Sequence, residues 1–139
     1  MTATFEEARQ EILTTFKTAW DTTGHPAYYE NIREDLTSSV EPWARVTLRH
    51  VTGRNASITG GIGNQRFERT GNLMVQVFVP TGEGLTEGLT LAKVVADAFE
   101  GVSTASGVWF RNTRVNEIGS EGSWFQINVI VDFLYDEVK

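Results

Sequence analysis

Two runs of strict alternation set the limits on what this chain can fold into. From Phe125 to Tyr135 every second residue is apolar, so Phe125, Ile127, Val129, Val131, Phe133 and Tyr135 share one side of an extended backbone. Leu73, Val75, Val77 and Val79 repeat the pattern inside residues 66–80. A sheet holding both strands has one fully apolar face, and that face must be covered.

The cover is written in two helical stretches. Phe5, Ala8, Ile12, Phe16 and Ala19/Trp20 recur at spacings of three and four, predicting a helix from Phe5 to Asp21. Thr4 and Glu7 have capping-box spacing, and Gly24 and Pro26 end the helix. A second helix is expected from Thr86 to Glu100, with Leu89, Ala92, Val95/Ala96 and Phe99 facing inward and Gly101 at its C-terminus. Further strands are expected over 43–51, over 66–80 (one strand, or two joined by a kink at Gly71-Asn72), over 108–118 and over 123–135, with a turn at 119–122. The order is α-β-β-β-α-β-β. Short turns favour antiparallel pairing, so the expected fold is α+β: one mostly antiparallel or mixed sheet covered on one face by two helices. Phe5, Ile12, Phe16, Leu89, Ala92 and Phe99 are expected to meet Val75, Val77, Ile127, Val129 and Val131 in one core.

With 139 residues and no linker or repeat, the chain reads as one domain spanning 1–139. It has no cysteine, which excludes disulfides, thiol nucleophiles and cysteine zinc sites. No apolar run approaches the ~20 residues of a membrane span. The first residues have no basic and no apolar region of a signal peptide, so a soluble intracellular product is expected.

Few patterns carry chemistry. Gly60-Gly61-Ile62-Gly63-Asn64-Gln65 lacks the Lys-Ser/Thr ending of a phosphate loop. His25, in a Gly-His-Pro turn, is expected in solvent, and His50 at a strand end. Two isolated histidines with scattered acids do not make a metal site. No catalytic residue, cofactor or metal is expected. Of the tryptophans, Trp20 is expected in the core, and one of Trp43 and Trp109 at an exposed interface.

Charge is distributed unevenly. The net charge is −6. Yet between Trp43 and Thr70 lie Arg45, Arg49, Arg54, Arg66 and Arg69 against the single acid Glu68. Such a basic stripe on an acidic body pairs with an acidic surface, of a neighbouring copy or of its own subunit. Within it, residues 52–65 contain four glycines and no charge from Asn55 to Gln65. That segment is read either as an edge extension of a sheet through Ser57-Ile58-Thr59 and Ile62, or as a mobile loop. The residues expected to touch a partner are Arg45, Arg49, Arg54, Ile58, Ile62, Arg66 and Arg69. Glu83, Glu87, Asp97 and Glu100 are candidate acids across the seam.

A family resemblance runs along nearly the whole chain. It rests on Phe5-x-x-Ala8-Arg9-x-x-Ile12-x-x-x-Phe16 and Trp20, Pro26-Ala27-Tyr28-Tyr29-Glu30-Asn31, and Trp43-Ala44-Arg45-Val46. It continues through Arg69-Thr70-Gly71-x-Leu73-x-Val75-Gln76-Val77-Phe78-Val79-Pro80-x-Gly82-x-Gly84, Gly122-x-Trp124-Phe125 and Val131-Asp132-Phe133-x-Tyr135-Asp136. The chain resembles the tail terminators of long-tailed bacteriophages and is similar to the lambda tail terminator. The resemblance implies a structural virion protein, assembled in the bacterial cytoplasm and located at the head-proximal end of the tail. It implies a hexameric ring that caps the tail tube, stops its polymerisation and offers a surface to the head-tail connector. Partners would be further copies of the chain, the tube protein and a neck protein, with DNA passing the lumen without specific binding and no membrane involved. A small α+β ligand-binding or enzymatic domain is the main alternative, and a single-strand nucleic-acid module using the arginines and tryptophans is a second.

Overall fold

A computed structural model describes residues 2–30, 41–57, 60–82 and 84–139. The elements are α1 (Phe5–Trp20), β1 (Ala27–Tyr29), β2 (Trp43–Asn55), β3 (Arg66–Pro80), α2 (Thr86–Phe99), β4 (Trp109–Glu121) and β5 (Trp124–Val138). They form one mixed sheet in the order β1-β2-β3-β5-β4 with both helices on one side. The expected α+β fold and element order are therefore present. Arg66–Pro80 is one unbroken strand, and the additional strand of the first half is β1, parallel to β2.

Alternation decides which side of each strand is covered. Ala44, Val46 and Leu48 of β2, Leu73 to Val79 at every second position of β3, and Ile127 to Tyr135 of β5 are buried against the helices. From α1 they meet Ala8, Ile12, Phe16 and Trp20, and from α2 Leu91, Ala92, Val95, Ala96 and Phe99. At ~25 cal/mol per Å2 of apolar surface removed from water, this layer is the main stabilising contribution. Two residues expected in it sit outside. Phe5 is 52% exposed and Leu89 40% exposed. The buried stripe of α2 runs through Gly88, Leu91/Ala92, Val95/Ala96 and Phe99, and Leu89 stands one residue, ~100°, off that line. Gly88 is part of the stripe because α2 lies close to the sheet there: a Cβ would stand 2.7 Å from Ile127 Cδ1.

The helix ends follow their sequence signals. The Glu7 amide donates to Thr4 Oγ1 at 3.2 Å, and the Thr4 hydroxyl donates to the Glu7 carboxylate at 3.1 Å. Glu7 thus closes the cap through the threonine side chain. Past α2, Gly101 takes φ +72°, the left-handed turn that ends a helix most easily at glycine. The β4–β5 hairpin closes on Gly122-Ser123, with φ +61° at Gly122, in keeping with a two-residue primed turn.

The glycine-rich segment is shorter as a loop than expected. β2 continues past Val51 to Asn55, with a register shift between His50 and Thr52. That shift keeps Thr52 opposite Thr70 and Arg54 opposite Glu68. The connection shrinks to 56–65, tied by Ala56 N–H to Arg66 O at 2.7 Å and Asn64 N–H to Gly61 O at 3.2 Å. Ile62 stands fully exposed at its tip. Ile58, Thr59 and Glu83 lie outside the described residues.

Beneath the first turn of α1 the sheet carries a polar cluster on its covered side. His50 Nε2 and the Tyr135 hydroxyl are 2.7 Å apart. The Arg69 guanidinium meets Glu137 at 3.0 Å and lies under the Phe5 ring. Burial pushes the Tyr135 phenol up to about 12, from an ordinary value near 10. Burial and the nearby Arg69 and Arg9 push the His50 imidazole down. Both shifts favour neutral partners, and their signs give a prediction. Between pH about 10 and about 12 the unfolded chain has released the tyrosine proton and the folded one has not, so stability falls as pH rises through that window. Below about 6.5 the unfolded chain takes up a histidine proton before the folded one does, so stability falls again as pH drops. Tyr135→Phe should flatten the alkaline limb and His50→Gln the acid limb, read from urea midpoints across pH. Parallel wild-type and variant curves would contradict this account.

Candidate interaction surface

The side of the sheet away from the helices has no second layer among the described residues. Register and alternation place on it Trp43, Arg45, Thr47 and Arg49 from β2, with the even-numbered residues from Arg66 to Phe78 on β3. β5 adds Trp124, Gln126, Asn128, Ile130, Asp132, Leu134 and Asp136, and β4 adds Trp109, Arg111 and Arg114.

One end of this open face is aromatic. Trp43 stacks on Phe78 at 4.1 Å between ring centroids, and Trp124 and Tyr28 meet Trp43 edge-on. Arg45 lies over both Trp43 and Phe78 at 5.4 and 5.6 Å. Packing this cluster buries Trp43, while Trp109, on the far strand, stays 59% exposed. The expectation that one of the two is exposed thus falls on Trp109.

The other end is charged. Arg54 Nε is 2.9 Å from Glu68, Arg66 is 3.7 Å from Asp136, and Arg114 is 3.3 Å from Asp132. Arg49 pairs with Glu30 at the sheet edge, where Glu30 also accepts from the Leu48 amide. The arginine partners hold Glu30 and Glu68 below the usual carboxylate range. Between Val51, Asn72 and Leu134 a cleft of about 530 Å3 opens, lined by Arg54, Glu68, Arg111 and Asp132.

The five arginines singled out from the sequence therefore have different places. Arg45, Arg49, Arg54 and Arg66 sit on the open face or its edge, and three of them hold a carboxylate of their own subunit. Arg69 is on the opposite side, 15% exposed, beneath Phe5. Two arginines of this face were not singled out: Arg111 and Arg114 belong to β4, outside the basic stripe, and only strand order brings them alongside it. Among the described residues Arg45 and Arg111 have no carboxylate within ion-pair distance. Of the candidate acids, Asp97 pairs with Lys93 at 2.8 Å, and Glu87 stands 3.9 Å from His25. His25, expected in solvent, is half-buried there.

No group of three metal-ligating side chains occurs among the described residues. No helix among them is long and apolar enough to cross a membrane.

A family described as phage tail terminator protein matches residues 7–133. A solved structure is similar in fold over 90% of this chain and 93% of its own, with a TM-score of 0.64 at 15% identity. No curated protein matches the sequence.

Proposed function

Because the chain belongs to the phage tail terminator family, a family of virion tail components, we propose that it ends tail-tube growth. In this reading it forms a hexameric ring on the head-proximal end of the tube and presents its other side to the head-tail connector. The observation that carries the reading is the uncovered sheet face. Trp124, Met74, Phe78, Ile130 and Leu134 are only partly covered by their own subunit. A face of this kind is what a partner protein covers.

The chain acts by shape and contact rather than by catalysis. The partner contacts fall to Arg45, Arg49, Arg54 and Arg66 on the open face and to Ile62 at the hairpin tip. Arg69 reaches a partner only if Phe5 moves off its guanidinium. A net charge of −6 suits a lumen through which DNA slides, since lysine and arginine contacts would hold the phosphates.

The test is tail length. Tails assembled without the protein should be irregular and overlong in electron micrographs, and adding it should restore uniform tails. An unchanged length distribution would overturn the reading. A finer variant reverses Arg54 and Arg66 to glutamate. Both arginines are solvent-screened, so the fold should survive with an unchanged circular dichroism spectrum while uniform tails are lost. Normal tails from this double variant would remove these two residues from the contact.

A further inference from the structure

Among the described side chains the two layers of the molecule differ in charge balance, and the surplus on each is exposed. On the open face Arg45, Arg49, Arg54, Arg66, Arg111 and Arg114 stand against Glu30, Glu68, Asp132 and Asp136. The excess is localised: Arg45 lies at the aromatic end and Arg111 in the cleft at the other. The helix layer has the reverse balance. Glu6, Glu7, Glu11, Asp21, Glu87, Asp97 and Glu100 outnumber Arg9, Lys17 and Lys93 there. Lys17 and Lys93 are already engaged by Asp21 and Asp97. That leaves Glu6 and Glu7 exposed on the first turn of α1, Glu100 exposed just past α2, and Glu87 exposed two residues before the exposed apolar Leu89.

We infer that the open sheet face of one copy seats the acidic helix layer of the next. The proposal rests on the tail-terminator reading and names the contact from which its ring is built. Each copy offers its front to one neighbour and its back to the other. Such a contact is heterologous, the kind that closes into a ring when the rotation per copy divides a full turn. Arg45 and Arg111 are the anchors, at opposite corners and, among the described residues, with no carboxylate within ion-pair distance to give up. Arg54 and Arg66 already hold one, so they gain less from a partner. Size agrees. Four strands of about 14 residues cover roughly 19 Å by 45 Å, on the order of 850 Å2, close to the ~800 Å2 per partner of a stable interface. Trp109, Met74, Phe78, Ile130 and Leu134 supply the apolar area that exposed ion pairs alone do not replace.

The absence of cysteine makes the contact directly testable. Gln76→Cys places one thiol at the centre of the open face, and Gln10→Cys or Thr90→Cys places one on the outside of α1 or α2. Each is treated with a short bismaleimide, alone and in mixtures, in the presence of the tail tubes the protein caps. The expected result is at least tenfold more cross-linked dimer in a mixture of front and back variants than in either alone. Adding Arg45→Glu and Arg111→Glu to the front copy should abolish it while circular dichroism stays unchanged. Equal dimer from Gln76→Cys alone would show the open faces mating with each other, and would overturn the inference. So would a mixture no better than its components. Tail length in the presence of the same variants is read separately. Uniform tails with no front-to-back cross-link would sink this contact and leave the terminator reading standing, whereas tube length indifferent to the protein would sink that reading itself.

Discussion

Replacing Gly71 by alanine should leave a chain that does not form its native sheet. Gly71 lies mid-strand in β3, with β2 on one side and β5 on the other, where β2 begins its register shift. A Cβ built there would stand 2.1 Å from the Arg49 carbonyl oxygen and 2.5 Å from Phe133 Cζ. The first is backbone of a paired strand, so relief needs a displacement of β2 rather than a rotamer change. The backbone at Gly71 is not in the left-handed region, so the cost is collision, not torsion. We expect more than ~4 kcal/mol, a large share of a total of ~5–15 kcal/mol. Gly82→Ala is the control. Its φ is +88° with nothing within 4 Å of the new carbon, so it carries torsional strain alone, about 1–2 kcal/mol. Equal thermal midpoints for the two variants would refute the close-approach account.

The second large effect is expected in the core. Phe16 and Phe99 are fully buried, one from each helix. Phe16 stacks on Trp20 at 5.7 Å and meets the edge of Tyr29, and Phe99 meets Phe110 at 4.9 Å. Truncation to alanine removes the ring and leaves a cavity the sheet cannot fill, because the facing Val75 and Val129 are short and fixed in strands. Each variant should lose about 3–5 kcal/mol in denaturant titrations followed by tryptophan fluorescence. A loss under about 1 kcal/mol would mean that the helices do not clamp the sheet as described.

How far the sequence shows these features depends on whether the cause is local. The alternation in 73–79 and 125–135, the Thr4–Glu7 cap and Gly101 act within a few residues, and they appear where expected. β1 has three residues and no alternation to read. It is a strand because the Pro26 carbonyl accepts from Ala44 N–H at 3.1 Å and from the Trp20 indole at 3.2 Å, both contacts made only in the folded chain. The extension of β2 past Val51 is hidden by Gly53, which reads as a breaker. In the fold it makes room for Arg69, whose Nη1 would be 2.7 Å from a Cβ there. The basic stripe was visible as a run of arginines, but its surroundings were not. Glu30, Asp136 and Glu137 come from distant parts of the chain. Arg111 enters the open face only because β4 lies beside β5. A surface assembled from four strands has no signature along one of them.

The strand order also sets a timetable for synthesis. β5, made after β3 and β4, lies between them, pairing Arg66 with Val138 and Pro80 with Trp124. Until it emerges from the ribosome β4 has no neighbour and the core side of β3 is half built. Contacts this distant along the chain form slowly, on the millisecond-to-second scale of sheet-rich domains. The four-strand open face is therefore complete only once β5 has paired with both of its neighbours. In the function proposed above, a copy whose β5 has not yet paired lacks the complete face that would meet a neighbour.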